Sequence, residues 1–424
     1  MGEELVKDKL AIVLSGGGLR SAAHIGVLKV LEEYGIKPDS LVGTSGGAVV
    51  AAFYASGLTP LEIEKLYLSI IGRENQYIDF AVGQLWQALL KLDISKVKGL
   101  IKGEKLRRFI AKHLRYLQNF TDYNQLSPEQ QEQVTELYLT AVDINDGTEI
   151  VFCPPQGVRA ADYGPGFTEF RLCSKAAIAD AVRCSIGIPG TFIPYCLDGN
   201  HYVDGGLRDN LPVAVAVKLA KAKKVLGVDL GYAGLRKEDL VKNGIIDILS
   251  QTVDIMAMDQ LAADLYDQEI SQAALVILNP LIYDVSLVDT YLIPTMIHRG
   301  ELLAETYCQL KGLQKGRENA TINRTLLFTD ADEEPVLFPM KGTPEYQVFR
   351  KQLSDQIKHP IEPDSLFTRL GQFLRRTRNK VFLTVGLVVL VSGLILVWGD
   401  PAVVQFLGLS GILLGLVIIY GSSK

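Results

Sequence analysis

Leu10-Ala11-Ile12-Val13-Leu14 is an unbroken apolar run that ends on three glycines. A strand buried on both faces reads this way, without alternation. From Ser21 to Glu33 the period changes. Ile25, Leu28 and Leu31 recur at helical spacing, and Gly35 and Pro38 close the segment. Ser40–Val42 is a second short strand, and Gly46–Ser56, rich in alanine and valine, is a buried helix. Strand, helix, strand, helix predicts a mostly parallel sheet flanked by helices.

The pattern continues less sharply. Residues 59–117 are mostly helical, with Leu61, Ile63, Leu66 and Tyr67, then Leu85, Leu89 and Leu90, as core positions or as the walls of a lid or acyl-chain tunnel. Leu137–Asp143 and Glu149–Cys153, joined by Asn145-Asp146-Gly147, predict a hairpin. Val225–Val228 and Leu275–Leu278 are further buried strands, with a long helix over Ile245–Ile270 between them. Residues 315–364 are mixed, punctuated by Pro335, Pro339, Pro360 and Pro363. The main body therefore ends at about residue 358.

Beyond it the chain changes character. Leu366, Leu370, Phe373 and Leu374 form an apolar face on a segment that carries five positive charges and no negative one, which predicts an interfacial helix in a basic linker, 359–380. Val381–Val397 and Ala402–Tyr420 are uncharged and mostly apolar. As helices they span roughly 26–28 Å each, close to the hydrocarbon core of a bilayer. Only Trp398-Gly399-Asp400-Pro401 joins them, so 381–420 reads as a transmembrane helical hairpin. Gly411 and Gly415 put two small residues on one face, a surface for close helix approach or for a homo-oligomer. The plainer alternative is a hydrophobic core hairpin.

Composition sharpens this division. The 424 residues carry a net charge of −5, yet residues 365–424 hold six basic residues against Asp400 alone, a net of +5, so residues 1–364 stand at −10. An acidic body with a basic neck beside apolar runs points to a membrane surface and not to nucleic acid. Basic residues flank both outer ends of the hairpin, which places the body on the cytoplasmic side. The five cysteines show no CxxC spacing, which argues for a reducing compartment and against a disulfide framework or a zinc site. Met1–Lys9 is charged and carries no secretory h-region.

The chemistry lies in two glycine-rich turns. Gly43-Thr44-Ser45-Gly46-Gly47 follows a strand and opens a helix, the setting of a nucleophile elbow; a tight turn with Ser45 as a plain helix cap is the alternative. Gly16-Gly17-Gly18-Leu19-Arg20-Ser21 has the same setting and can aim backbone N–H groups at an anion. It lacks the Gly-Lys-Ser/Thr ending of a nucleotide phosphate loop. The base is harder to find. His24, His113, His201, His298 and His359 are the histidines, and His201 is nearest to an acid, three residues before Asp204. Asp204 itself, at a strand end before Gly205-Gly206, can serve as the base if burial raises its proton affinity; an ordinary Asp-Gly turn is the alternative.

Together these blocks resemble the patatin-like phospholipase family over roughly residues 8–230. The resemblance rests on Gly16 to Ser21 through Gly26, on Gly43 to Gly47, on Ser185-Ile186-Gly187-Ile188-Pro189-Gly190-Thr191-Phe192, and on Asp204-Gly205-Gly206 with Asn210 and Pro212 following. Gly187 departs from the shorter or bulkier run common in the family. The resemblance implies a three-layer α/β fold and hydrolysis of acyl esters in membrane phospholipids or lysophospholipids. It implies Ser45 as nucleophile, Asp204 as base, and the backbone of Gly16, Gly17, Gly18 and Gly46 as oxyanion hole; that chemistry needs no metal and no cofactor. Two other readings share the sequence: an acyltransferase that passes the same acyl group to another alcohol, and a non-catalytic membrane lipid sensor or scaffold.

Overall fold

In a computed structural model the described residues are 9–81, 97–155, 170–231, 245–282, 285, 289–331 and 334–357. The chain divides into two compact units, Met1–Ile357 and Lys358–Lys424. The second unit, with the expected interfacial helix and hairpin, lies outside the described residues, as do Leu85, Leu89, Leu90 and His359. Among the described residues no helix is long and apolar enough to cross a membrane.

The strands are β1 (Leu10–Leu14), β2 (Ser40–Thr44), β3 (Glu136–Asp143), β4 (Glu149–Phe152), β5 (Arg171–Cys173), β6 (Tyr195–Leu197), β7 (Asn200–Asp204), β8 (Lys224–Val228), β9 (Ala274–Leu278) and β10 (Val336–Phe338). They form one sheet in the order β10-β9-β8-β1-β2-β3-β4-β5, with β6 and β7 joined off that path. From β10 to β3 every pairing is parallel. The expected 137–153 hairpin is the antiparallel pair β3–β4.

The apolar run at β1 explains the layers. Leu10, Ile12 and Leu14 belong to the core on one face of the sheet, while Ala11 and Val13 belong to the core on the other. Successive side chains of a strand point to opposite faces, so a strand covered on both sides needs apolar residues throughout. On the first face pack α1 (Ala22–Glu33), α2 (Gly46–Ala55) and, further along the chain, α6 (Ile178–Ser185) and α8 (Ile293–Leu310). On the other lie residues 211–222, which include a wide turn of helix at Val215–Leu219, and the end of α7 (Ile245–Asp264). The result is a three-layer α/β fold with a mostly parallel central sheet.

Several expected boundaries move. β2 runs two residues further than Ser40–Val42, to Thr44, because β3 continues to supply partners. The helix expected over Ile245–Ile270 stops at Asp264, before a separate turn at Ile270–Gln272. In the 59–117 region, α3 (Pro60–Leu68) and α4 (Glu104–His113) are present. Ile63 and Tyr67, one turn apart on α3, are buried, while Leu61 is 59% exposed and is no core residue. Pro60 starts the helix, and its first turn puts position 61 on the solvent face. Around 315–357 the chain builds α9 (Ala320–Leu326), β10 and α10 (Pro344–Ile357), so this stretch completes the sheet edge. The remaining short helix, α5, is Pro128–Gln131.

Candidate active site

Ser45 follows β2 and caps α2 with φ 51° and ψ −122°, a conformation that side chains avoid. Such a residue costs about 1–3 kcal/mol and persists only where its surroundings fix it. Its side chain makes no cap to its own helix. Instead Oγ donates to Asp204 Oδ2 at 2.6 Å. The other carboxylate oxygen, Oδ1, accepts the Gly206 N–H at 2.9 Å.

The sheet brings these two residues together. β2 ends where Thr44 pairs with Thr140 of β3. One residue later along β3, Ala141 pairs with Asp204 of β7. Ala141 also pairs with Ile150 of β4, on the other edge. β7 therefore occupies the same edge of β3 as β2, running the opposite way and stopping where β2 stops. Two strand ends meet head to head, and one brings Ser45 and the other Asp204 to the gap.

The glycine loop closes the third side. Gly16 donates its N–H to the Asn210 carbonyl at 3.1 Å. A methyl group on Gly16 would lie 2.4 Å from Asn210 Oδ1 and 3.1 Å from the Ser45 Cβ, so only glycine fits against the elbow. A methyl group on Gly46 would lie 2.3 Å from the Gly18 carbonyl oxygen and 3.1 Å from the Gly18 nitrogen. The two glycine backbones thus touch. Gly18 starts a short helical turn and Gly46 starts α2, and the first N–H groups of a helix have no partner inside it.

The electrostatics follow from burial. Ser45 and Asp204 are 4% and 6% exposed. Desolvation pushes the Asp204 carboxyl up to about 6, against the pull of the hydrogen bonds from Ser45 and Gly206. Loss of hydration penalises the charged form, and neither partner is a cation that would offset it.

No described histidine takes the role of the base. His201 is exposed, and alternation along β7 turns it to the face opposite Asp204. His298 is exposed beside Glu301, and His113 bonds the Phe109 carbonyl. His24 is buried, with burial driving its imidazole down to about 4, so it is neutral. Its Nε2 lies 2.9 Å from the Ser15 carbonyl oxygen, just behind the glycine loop. Among the described residues no cluster of three or more His, Cys, Asp or Glu could hold a metal ion. A cavity of about 600 Å³ borders Pro38, Asp39 and Thr135, which precede β2 and β3, and so opens at the end of the sheet opposite Ser45.

The comparisons with known proteins bear on this site. A family model described as patatin-like phospholipase matches residues 12–217. YqhO, an uncharacterized protein of Bacillus subtilis, is 34% identical over 226 residues, which cover 51% of this chain and 70% of that one. This chain belongs to the patatin-like phospholipase family. Membership brings the enzyme class with it, lipid ester hydrolase. Lysophospholipase NTE1 of Scheffersomyces stipitis is 27% identical over 229 residues, 54% of this chain and 12% of its own. The mouse patatin-like phospholipase domain-containing protein 6 is 27% identical over 229 residues, 54% of this chain and 14% of its own. This patatin-like chain therefore spans only a small part of those two longer relatives.

Sequence reasoning did not single out Ser185, His24 or the Asn210 carbonyl as parts of the site. Ser185 and Asn210 stood inside quoted motifs, but nothing in the pattern showed which atoms they would meet.

The raised Asp204 carboxyl predicts a stability effect. Below about pH 4 the group is protonated in the folded and unfolded chain alike. Its contribution to stability is then fully present, and it is lost as pH rises through about 6, where the folded chain must hold a buried charge. That loss is on the order of 3 kcal/mol. Asp204→Asn removes the charge, so thermal unfolding should show the variant above the wild type at about pH 8, with the gap closing towards about pH 4. A gap that does not change with pH would contradict the assigned electrostatics.

Proposed function

We propose that this protein hydrolyses ester-linked acyl chains of membrane phospholipids or lysophospholipids through an acyl-enzyme on Ser45, with Asp204 as general base. The observation that carries this reading is the 2.6 Å hydrogen bond from Ser45 Oγ to a buried carboxylate whose proton affinity is raised. A carboxylate with an ordinary affinity is a poor base towards a serine hydroxyl. One held near neutrality is a better one.

The steps use this chain's own atoms. Ser45 Oγ attacks the ester carbonyl carbon as its proton passes to Asp204 Oδ2. The carbonyl oxygen becomes an oxyanion held by backbone N–H groups, each worth roughly 3 kcal/mol of transition-state stabilisation. Since the Gly16 N–H is engaged by Asn210, the donors in this proposal are Gly17, Gly18 and Gly46. The positive end of α2 lies at the same place and adds to the field. Collapse of the intermediate expels the lipid alcohol, which takes the proton from Asp204. Water, deprotonated by Asp204, then attacks the acyl-enzyme, and Ser45 regains its proton.

The location of the enzyme forms the second part of the proposal. The runs 381–397 and 402–420 anchor the chain in a bilayer, and the 359–380 segment meets its surface through basic side chains. The body, Met1–Ile357, then works on the cytoplasmic side, beside its substrate. The names of two similar proteins, a lysophospholipase and a patatin-like phospholipase domain-containing protein, support a lysophospholipid or phospholipid substrate.

Two measurements test this. Turnover of a short acyl ester should vanish in Ser45→Ala and, in the wild type, fall with decreasing pH through about 6 as Asp204 takes up its proton. Retained turnover in Ser45→Ala would reject the nucleophile. Membranes carrying the full chain, washed with alkaline carbonate, should keep it in the pellet. Its release into the supernatant would reject the anchor.

A further inference from the structure

Ser45 leaves one polar group to be accounted for, its own N–H. β2 ends one residue earlier, so no strand receives it. The group is buried with the rest of the residue. It donates to the hydroxyl oxygen of Ser185 at 2.8 Å, across 140 positions of sequence, and Ser185 is fully buried. Two residues on, the Gly187 carbonyl accepts the Asp204 N–H at 3.1 Å. The stretch Ser185-Ile186-Gly187 thus grips the main chain of both Ser45 and Asp204.

This grip is anchored. Ser185 ends α6, whose Ile178, Ala181, Val182 and Cys184 lie in the core. On the same helix the Arg183 guanidinium donates to the Lys102 carbonyl at 2.7 Å and to the Ile193 carbonyl at 2.6 Å. Those bonds tie the end of α6 to two neighbouring segments. A buried serine at a helix end usually turns its hydroxyl to its own helix, where it competes for a carbonyl. Here its oxygen accepts from the strained residue that enters α2.

We infer that Ser185 is a positioning residue for the reaction: its hydroxyl fixes the Ser45 main chain in the one conformation that aims Oγ at Asp204. The inference rests on the Ser45–Asp204 reading above. A non-glycine residue at φ 51° relaxes unless its surroundings hold it. Removal of the Ser185 oxygen leaves the Ser45 N–H buried without a partner, and the elbow can relieve both penalties by turning. Turning carries Oγ away from the carboxylate.

The test uses the full chain and four variants, Ser45→Ala, Ser185→Ala, Ser185→Thr and Ser185→Cys. Hydrolysis of p-nitrophenyl butyrate is followed from about pH 5 to about pH 9, with thermal unfolding of each variant alongside. Ser185→Ala should lower kcat roughly tenfold to a hundredfold, the size of one buried hydrogen bond left unmade. KM should stay within about twofold, since the lost contact does not touch substrate. The acid limb of the profile should move to higher pH, because the Ser45 hydrogen bond that holds the Asp204 carboxyl down is loosened. Ser185→Thr keeps the hydroxyl and should restore kcat. If the alanine variant does not fold, Ser185→Cys has nearly the same shape but a weak acceptor, and the same loss is read there. Wild-type kcat with an unmoved acid limb, in whichever of the two folds, would overturn the inference even if stability fell. Ser45→Ala separates the two levels. Turnover in that variant would remove the parent reading, whereas a dead Ser45→Ala beside an unimpaired Ser185→Ala would remove this inference alone.

Discussion

β3 lends one edge to two strands. β2 uses the first part, from Glu136 to Thr140, and β7 uses the end, from Ala141 to Asp143. Everything else at the site depends on this arrangement. Backbone hydrogen bonds fix both registers, so the separation between the end of β2 and the end of β7 does not drift with side-chain motion. Ser45 and Asp204 lie 159 positions apart in the chain, yet Asp204 pairs with Ala141 of β3 and Ser45 directly follows the residue that pairs with Thr140. In the proposed mechanism, a serine on a flexible loop would have to find its base at an entropic cost in every cycle. Here that cost is met once, when the sheet forms.

A second constraint is that no cation among the described residues bonds the Asp204 carboxylate. Asp267 shows what a cation does in this molecule: Lys218 lies 2.9 Å away, and the carboxyl is held below its usual value. Asp204 has only a hydroxyl and an amide N–H as partners, and burial wins over both. The same desolvation that suits the carboxylate to the base role proposed for it weakens the fold. Backbone strain at Ser45 adds to that cost. Both are carried by the double-sided core around β1, where neighbouring residues supply opposite layers. Sites that break local rules are expected where chemistry needs them.

Much of the frame was legible from the sequence because it is local. The unbroken apolar run at Leu10–Leu14, the helical period after Ser21 and the glycines around Ser45 each declare themselves within a dozen residues. Asp204 was legible as a carboxylate at a strand end before two glycines. What the pattern could not carry was non-local. The shared edge of β3 depends on which strand stops where, and no window of sequence contains both ends. The fate of the Gly16 N–H, taken by the Asn210 carbonyl, belongs to the same class. So does the hydroxyl of Ser185, which ends one helix and serves the entry to another. Leu61 misled for a different reason, since a leucine at helical spacing near Ile63 and Tyr67 reads as core until the start of α3 fixes its face.

The central claim is that Asp204 activates the Ser45 hydroxyl through their direct hydrogen bond. Reaction with a fluorophosphonate reads that activation at one atom, independent of lipid presentation. The protein is treated with the reagent, digested, and the modified peptide located by mass spectrometry, for the wild type and for Asp204→Asn. The account predicts a phosphonyl group on Ser45 in the wild type and labelling slowed by orders of magnitude in the variant. Modification at another residue, or equal labelling of Ser45 in both proteins, would contradict it.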